Sequence, residues 1–147
     1  MADSRFKLEQ VLVYRKELER LRKQDFATAK QAFEHASDEL RRDEERLGGV
    51  SRDFCERQGE LSSIEEMRMY ADFFARKRDE IRQQRERIEH LGEVMDTRRE
   101  ELMDATKDKK VLESLKEKDA REFTERMSRK EQDFLDEVSI QKKKDPS

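Results

Sequence analysis

Hydrophobic residues recur along this chain at seven-residue intervals. Phe26, Phe33, Leu40, Leu47 and Phe54 form one unbroken column, and Met67, Phe74, Ile81, Ile88, Met95 and Leu102 form a second. Seven-residue recurrence puts each set on one helical face and is the pattern of a coiled-coil seam. The companion columns are weaker: Ala29, Ala36, Asp43 and Val50 beside the first, Ile64, Ala71, Arg78 and Arg85 beside the second. Small residues let helices approach, and Arg stems lie along a seam with their charges in water. The first stripe continues towards the N-terminus as Val11, Tyr14, Leu18 and Leu21. The second continues through Ala105, Leu112, Leu115, Phe123, Met127, Phe134 and Val138.

The two columns must be joined by a turn, and glycine offers two places, Gly48-Gly49 and Gly59. A turn at Gly48-Gly49 strands Phe54 outside any pairing. A turn near Glu60 and Leu61 makes facing residue numbers add to about 121 and aligns five layers of an antiparallel hairpin. Phe54 then meets Met67, Leu47 meets Phe74, Leu40 meets Ile81, Phe33 meets Ile88 and Phe26 meets Met95. Ser63-Ile64-Glu65-Glu66 reads as a capping box opening the second helix. The pattern predicts a single all-α domain over 1–147, a long antiparallel two-helix coiled-coil hairpin. Helix 1 is expected at about 4–57, a turn at about 58–63, helix 2 at about 63–143 and a disordered tail at 144–147. Unequal arms leave the C-terminal helix overhanging, with Phe123, Met127, Phe134 and Val138 unpartnered. Glu19/Lys23, Asp72/Arg76, Glu117/Arg121 and Glu122/Arg126 are expected as i,i+4 pairs on outer faces.

Composition agrees with that thin seam. Of 147 residues, 33% are hydrophobic and 48% charged, too little apolar material for a globular interior. The single proline is Pro146, so no obligatory helix breaker precedes it. A net charge of −3, with basic and acidic residues interspersed, argues against a nucleic-acid binder. No apolar run approaches the ~20 residues of a bilayer span, and the first residues lack a secretory signal's apolar stretch. A cytosolic protein without direct membrane insertion is expected.

No reaction chemistry emerges. His35 and His90 have no ligand-like spacing, the lone Cys55 excludes an intramolecular disulfide, and no glycine-rich phosphate loop is present. A two-helix hairpin has no interior for a pocket, so neither an enzyme nor a cofactor or metal site is expected. One feature lies off the seam. Phe73 points roughly 100° away from its neighbour Phe74, and Tyr70 lies one turn earlier. An aromatic pair near the tip of a charged hairpin is an anchor candidate for a partner protein. Arg76, Lys77, Arg78, Arg82, Arg85 and Arg87 could form its charged rim or a solvated face.

Two segments carry a family resemblance. Phe6-Lys7-Leu8-Glu9-Gln10-Val11-Leu12 resembles the opening segment of the FliJ family, and Lys109-Lys110-Val111-Leu112-Glu113-Ser114-Leu115-Lys116-Glu117-Lys118 is similar to its Lys-Val-Leu-Glu-x-Leu-Lys-Glu-Lys segment. FliJ proteins are soluble components of the bacterial flagellar type III export apparatus. The resemblance implies a non-enzymatic central stalk, akin to the coiled coil of the γ subunit of F-type ATP synthase. Its partners would be the hexameric export ATPase FliI, the export gate protein FlhA and export chaperones, at the cytoplasmic side of the inner membrane. With the hairpin geometry, Leu112, Leu115, Phe123 and Met127 are expected to face the ATPase, and Tyr70 and Phe73 the gate. The equivalent stalk of a virulence-type secretion system, or a generic coiled-coil scaffold or homodimer, remains open on sequence grounds.

Overall fold

The structure, a computed structural model, describes residues 5–60 and 63–144. Its regular elements are two helices, α1 (Glu9–Arg57) and α2 (Ile64–Lys144), with no strand among the described residues. The expected all-α helical hairpin is therefore the observed architecture. Helix α1 starts later than about residue 4 because the lead-in is a turn: the Glu9 N–H donates to the Phe6 carbonyl at 3.1 Å. The helical ladder then opens with the Leu12 N–H on the Leu8 carbonyl at 2.9 Å. Helix α1 closes with Glu60 N–H on the Arg57 carbonyl at 2.8 Å. The expected turn at 58–63 thus falls on a described turn at 58–60, on residues 61–62, which lie outside the described residues, and on Ser63. The Glu66 N–H donates to Ser63 Oγ at 3.2 Å, the expected cap of α2. Glu65 and Glu66 in the first turn of α2, and Arg57 in the last turn of α1, complement the helix dipoles. Of the tail expected at 144–147, Lys144 ends α2 and residues 145–147 lie outside the described residues.

Packing divides the chain into two compact units, residues 22–102 and residues 1–21 with 103–147. In the first unit, the two strong columns do face one another, but in a different register from the five expected layers. Phe54 packs on Tyr70, with ring centroids 4.9 Å apart, and on Phe74 at 5.7 Å, while Met67 is 41% exposed. Phe33 lies on Gly92, and Arg99 caps the Phe26 ring at 5.5 Å. Gln84 donates to Asp43 at 2.7 Å, and Arg85 pairs with Glu44. These partners stand about one turn beyond Met67, Ile88 and Met95, the ones expected for Phe54, Phe33 and Phe26. The companion column of α2 is also not Ile64, Ala71, Arg78 and Arg85, which are exposed. It is Tyr70, Lys77, Gln84, Leu91 and Arg98, all half-buried.

In the other unit the seam holds Leu12 (1% exposed), Ala105 and Leu112, all buried, and the buried Glu19. The expected stripe Val11, Tyr14, Leu18, Leu21 is displaced: Val11, Tyr14 and Leu21 are exposed and Leu18 is half-buried. The true continuation is Leu12 and Glu19, which extend the column of Phe26 backwards at the same seven-residue step. Lys109 likewise follows Leu102 in the column of α2, and its Nζ lies 3.1 Å from Glu19 Oε1. Glu19 is therefore a seam residue. Around it, Arg15 pairs with Asp108 at 3.2 Å and Lys116 with Glu9 at 2.9 Å. These exposed pairs contribute about 0–1 kcal/mol each. Asp72/Arg76, Glu117/Arg121 and Glu122/Arg126 close no ion pair; most intrahelical pairs that form are spaced i,i+3, such as Arg99 with Asp96.

The observed alignment brings these two charges together. With facing numbers adding to about 121, Glu19 would sit against Leu102 and Lys109 against Leu12. A shift of about one turn instead puts the Lys109 ammonium 3.1 Å from the Glu19 carboxylate, and a charge held in a seam favours the alignment that gives it an opposite charge. We expect Glu19→Leu or Lys109→Leu alone to lose about 3 kcal/mol in urea denaturation, by removing the cross-helix partner of a charge held in the seam, and the double substitution to recover most of it. A double variant as unstable as the singles would contradict this.

The glycines give a second expectation. A Cβ at Gly48 or Gly49 meets nothing within 4 Å, whereas at Gly92 it would lie 3.3 Å from the Phe33 ring. Gly48→Ala and Gly49→Ala should each raise stability by about 1 kcal/mol through helix propensity. Gly92→Ala should gain measurably less, as thermal melts of the three variants would show.

Candidate functional site

Two surfaces stand out, one in each unit. Near the turn, Val50, Arg57, Glu66, Met69, Tyr70 and Phe73 line an open groove. Tyr70 reaches it from the seam, where it packs on Phe54 and lies 6.3 Å from the Phe74 ring. It is therefore a packing residue with one face towards the groove, not a purely flanking one. Phe73 leans away, edge-on to Phe74 at 5.8 Å, with the Lys77 ammonium 5.8 Å from its ring centroid. Phe73 also lines a neighbouring groove with Leu47, Gly49, Val50, Asp53 and Lys77, so its ring divides two apolar hollows. Met69, 72% exposed, was missed by reading columns. Its spacing of four from Phe73 was the available signal, since that spacing puts both on one helical face.

Of the residues expected at the other surface, Leu112 is buried in the seam and so holds α2 to α1 rather than facing a partner. Leu115 is 43% exposed and borders a groove with Phe6, Lys7, Leu8, Lys118, Asp119 and Glu122. Phe123 and Met127 are half-buried. Beyond them Phe134, Leu135 and Ile140 are 65%, 57% and 52% exposed. Leu135 and Ile140 were not singled out from sequence because they flank the stripe instead of lying in it.

The remaining polar groups assemble no reactive centre. His35 pairs with Glu39 at 3.1 Å on the surface, His90 and Cys55 are exposed, and among the described residues no group of three His, Cys, Asp or Glu converges as a metal site. A hydrogen bond from Arg20 holds the Glu17 carboxyl below its usual range, but both side chains are exposed and the pair is a solvated one. What the geometry offers is contact surface: an aromatic groove near the turn and an apolar stripe near the end of α2. No described helix is long and apolar enough to cross a membrane.

The two aromatics near the turn should separate by substitution. Tyr70→Ala removes ring packing on Phe54 and should cost about 2 kcal/mol, while Phe73→Ala should cost less than about 1 kcal/mol. Chemical denaturation of both variants checks this, and equal losses would count against the division of roles.

Comparison with known proteins gives one match: the model of a family described as "Flagellar FliJ protein" matches residues 4–144. No curated protein and no solved structure matches the chain.

Proposed function

We propose, on the premise that the chain belongs to the FliJ family of flagellar export components, that it works as a stalk-like coiled coil serving the export ATPase. The observation that carries this reading is the stretch of α2 past Glu122, where Phe123, Met127, Phe134 and Val138 share one helical face, C-terminal to the pair of Lys116 with Glu9, the residue at which α1 begins. An apolar stripe on a charged helix is a docking face for a partner protein. In this reading Leu115, Phe123 and Met127 meet the hexameric ATPase FliI and promote its assembly and hydrolysis. Leu112 contributes by locking α2 against α1 behind them. The protein itself catalyses nothing and needs no cofactor.

The groove at Tyr70 and Phe73 is the second contact in this reading. Exposed Met69 and half-buried Phe73 provide an apolar anchor, with Arg57, Glu66 and Lys77 as a charged rim, a composition suited to a protein partner. We assign it to the gate protein FlhA, with export chaperones as further clients. Such contacts would hold the protein peripherally at the cytoplasmic side of the inner membrane.

The test is ATP hydrolysis by the cognate export ATPase, with and without this protein. Wild type should stimulate it, and Phe123→Asp with Met127→Asp should abolish most of the stimulation while leaving the melting temperature unchanged. Phe73→Ala should leave stimulation intact and weaken gate binding in a pull-down. Absence of stimulation by the wild type, where the ATPase assembles, would overturn the stalk reading.

A further inference from the structure

The end of α2 has a symmetry that its neighbours lack. Phe123 and Met127 precede the Lys130–Glu131 peptide bond at the same distances at which Phe134 and Val138 follow it, so the stripe is unchanged in character when its direction is reversed. The net charge beside it reverses across the same point. Arg121, Arg126, Arg129 and Lys130 with Glu122 and Glu125 lie before it, a net basic half, and Glu131, Asp133, Asp136 and Glu137 lie after it, a wholly acidic half up to Gln141. At 100° per residue, Arg126, Asp133 and Glu137 fall on one flank of the apolar stripe, with Glu122 and Arg129 further round on the same side.

Most of those charges stand outside ion pairs, while Asp136 accepts a hydrogen bond from Gln132 at 3.1 Å. Arg126, Arg129, Lys130, Glu131 and Asp133 form no ion pair among the described residues, although Arg129 and Asp133 are spaced i,i+4. Elsewhere on α2, Lys77 with Glu80, Arg99 with Asp96 and Lys109 with Glu113 do pair within the helix. Phe134, Leu135 and Ile140 stand more than half exposed beside them.

We propose that this stretch, about residues 121–141, pairs antiparallel with the same stretch of a second copy of the chain. Reversing one copy about the Lys130–Glu131 bond sets Phe123 over the other copy's Val138 and Met127 over its Phe134. The same operation lays the basic half of each copy along the acidic half of the other, twice over. Parallel pairing would set acid beside acid and base beside base, so the charge pattern selects the antiparallel arrangement. The contact is isologous and closes as a dimer. It does not rest on the ATPase assignment, but it uses the same stripe, so a dimer would keep that face covered until a partner displaces the second copy.

The experiment is sedimentation equilibrium of the full chain over a wide concentration range, at low and high salt. We expect a monomer–dimer equilibrium that weakens with added salt. Met127→Asp with Phe134→Asp should weaken it by more than about tenfold. Arg126→Glu with Lys130→Glu should also weaken it, and adding Glu131→Lys with Asp133→Arg should restore it. Orientation is read by oxidation in a Cys55→Ser background. Lys130→Cys, beside the symmetry point, should cross-link two copies, and Phe123→Cys should not. A monomer at every concentration would overturn the proposal, as would a dimer untouched by Met127→Asp with Phe134→Asp. Efficient Phe123→Cys cross-linking would do the same by showing parallel pairing. ATPase stimulation is a separate readout, so its failure would leave this result standing.

Discussion

Glu19 and Lys109 are the two charged members of columns that are otherwise apolar from Leu12 to Phe54 and from Met67 to Leu102, and the alignment of the helices is the one that lets them meet. A heptad seam is degenerate by construction, because sliding it seven residues again matches apolar to apolar. Hydrophobic burial alone cannot separate those registers. A buried charge can, since leaving it without a partner costs several kcal/mol while the apolar layers change little. Glu19 is 6% exposed, and Lys109 reaches it along a mostly covered stem. Such a pair is expected to act on alignment more than on net stability.

That constraint matters because so little else is buried. Among the described residues the buried apolar side chains are Leu12, Ile81, Ala105 and Leu112, and aromatic packing of Phe54 on Tyr70 and Phe74 closes the turn end. A thin seam leaves flanking hollows open, which is why the grooves at Phe73 and Leu115 exist at all. It also makes each end of the hairpin a contact surface by default. Function in such a fold comes from which faces stay uncovered, and register decides that. A heptad slip would change which residue of α1 covers Leu112 and where the unpartnered stripe of α2 begins.

The fold class, the location of the turn and the capping serine were legible in the sequence because each depends on local or periodic signals. Phe26 to Phe54 recur without interruption, Gly59 and Ser63 mark the chain reversal, and no proline intervenes. Register was not legible from apolar letters alone, for a specific reason. Glu19 breaks the column when charged residues are read as surface, so the eye moves to Val11 and Tyr14, which the structure exposes, and passes over Leu12, which it buries. Tyr70 was found as an aromatic but assigned to the flank, because the companion column was drawn through Ile64 and Ala71. The stripe from Phe123 to Val138 was legible because its residues recur at helical spacing in an otherwise charged stretch.

The central claim, that the buried ion pair selects the register, is tested most directly by disulfide trapping in a Cys55→Ser background. Arg15→Cys is combined with Asp108→Cys, its present neighbour at 3.2 Å, or with Glu101→Cys, its counterpart one heptad earlier. With Glu19 and Lys109 intact, only the first combination should oxidise to an intrachain disulfide. With both changed to leucine, the two combinations should oxidise at comparable rates. Trapping at residue 108 alone in both backgrounds would show that the turn, and not the ion pair, fixes the alignment.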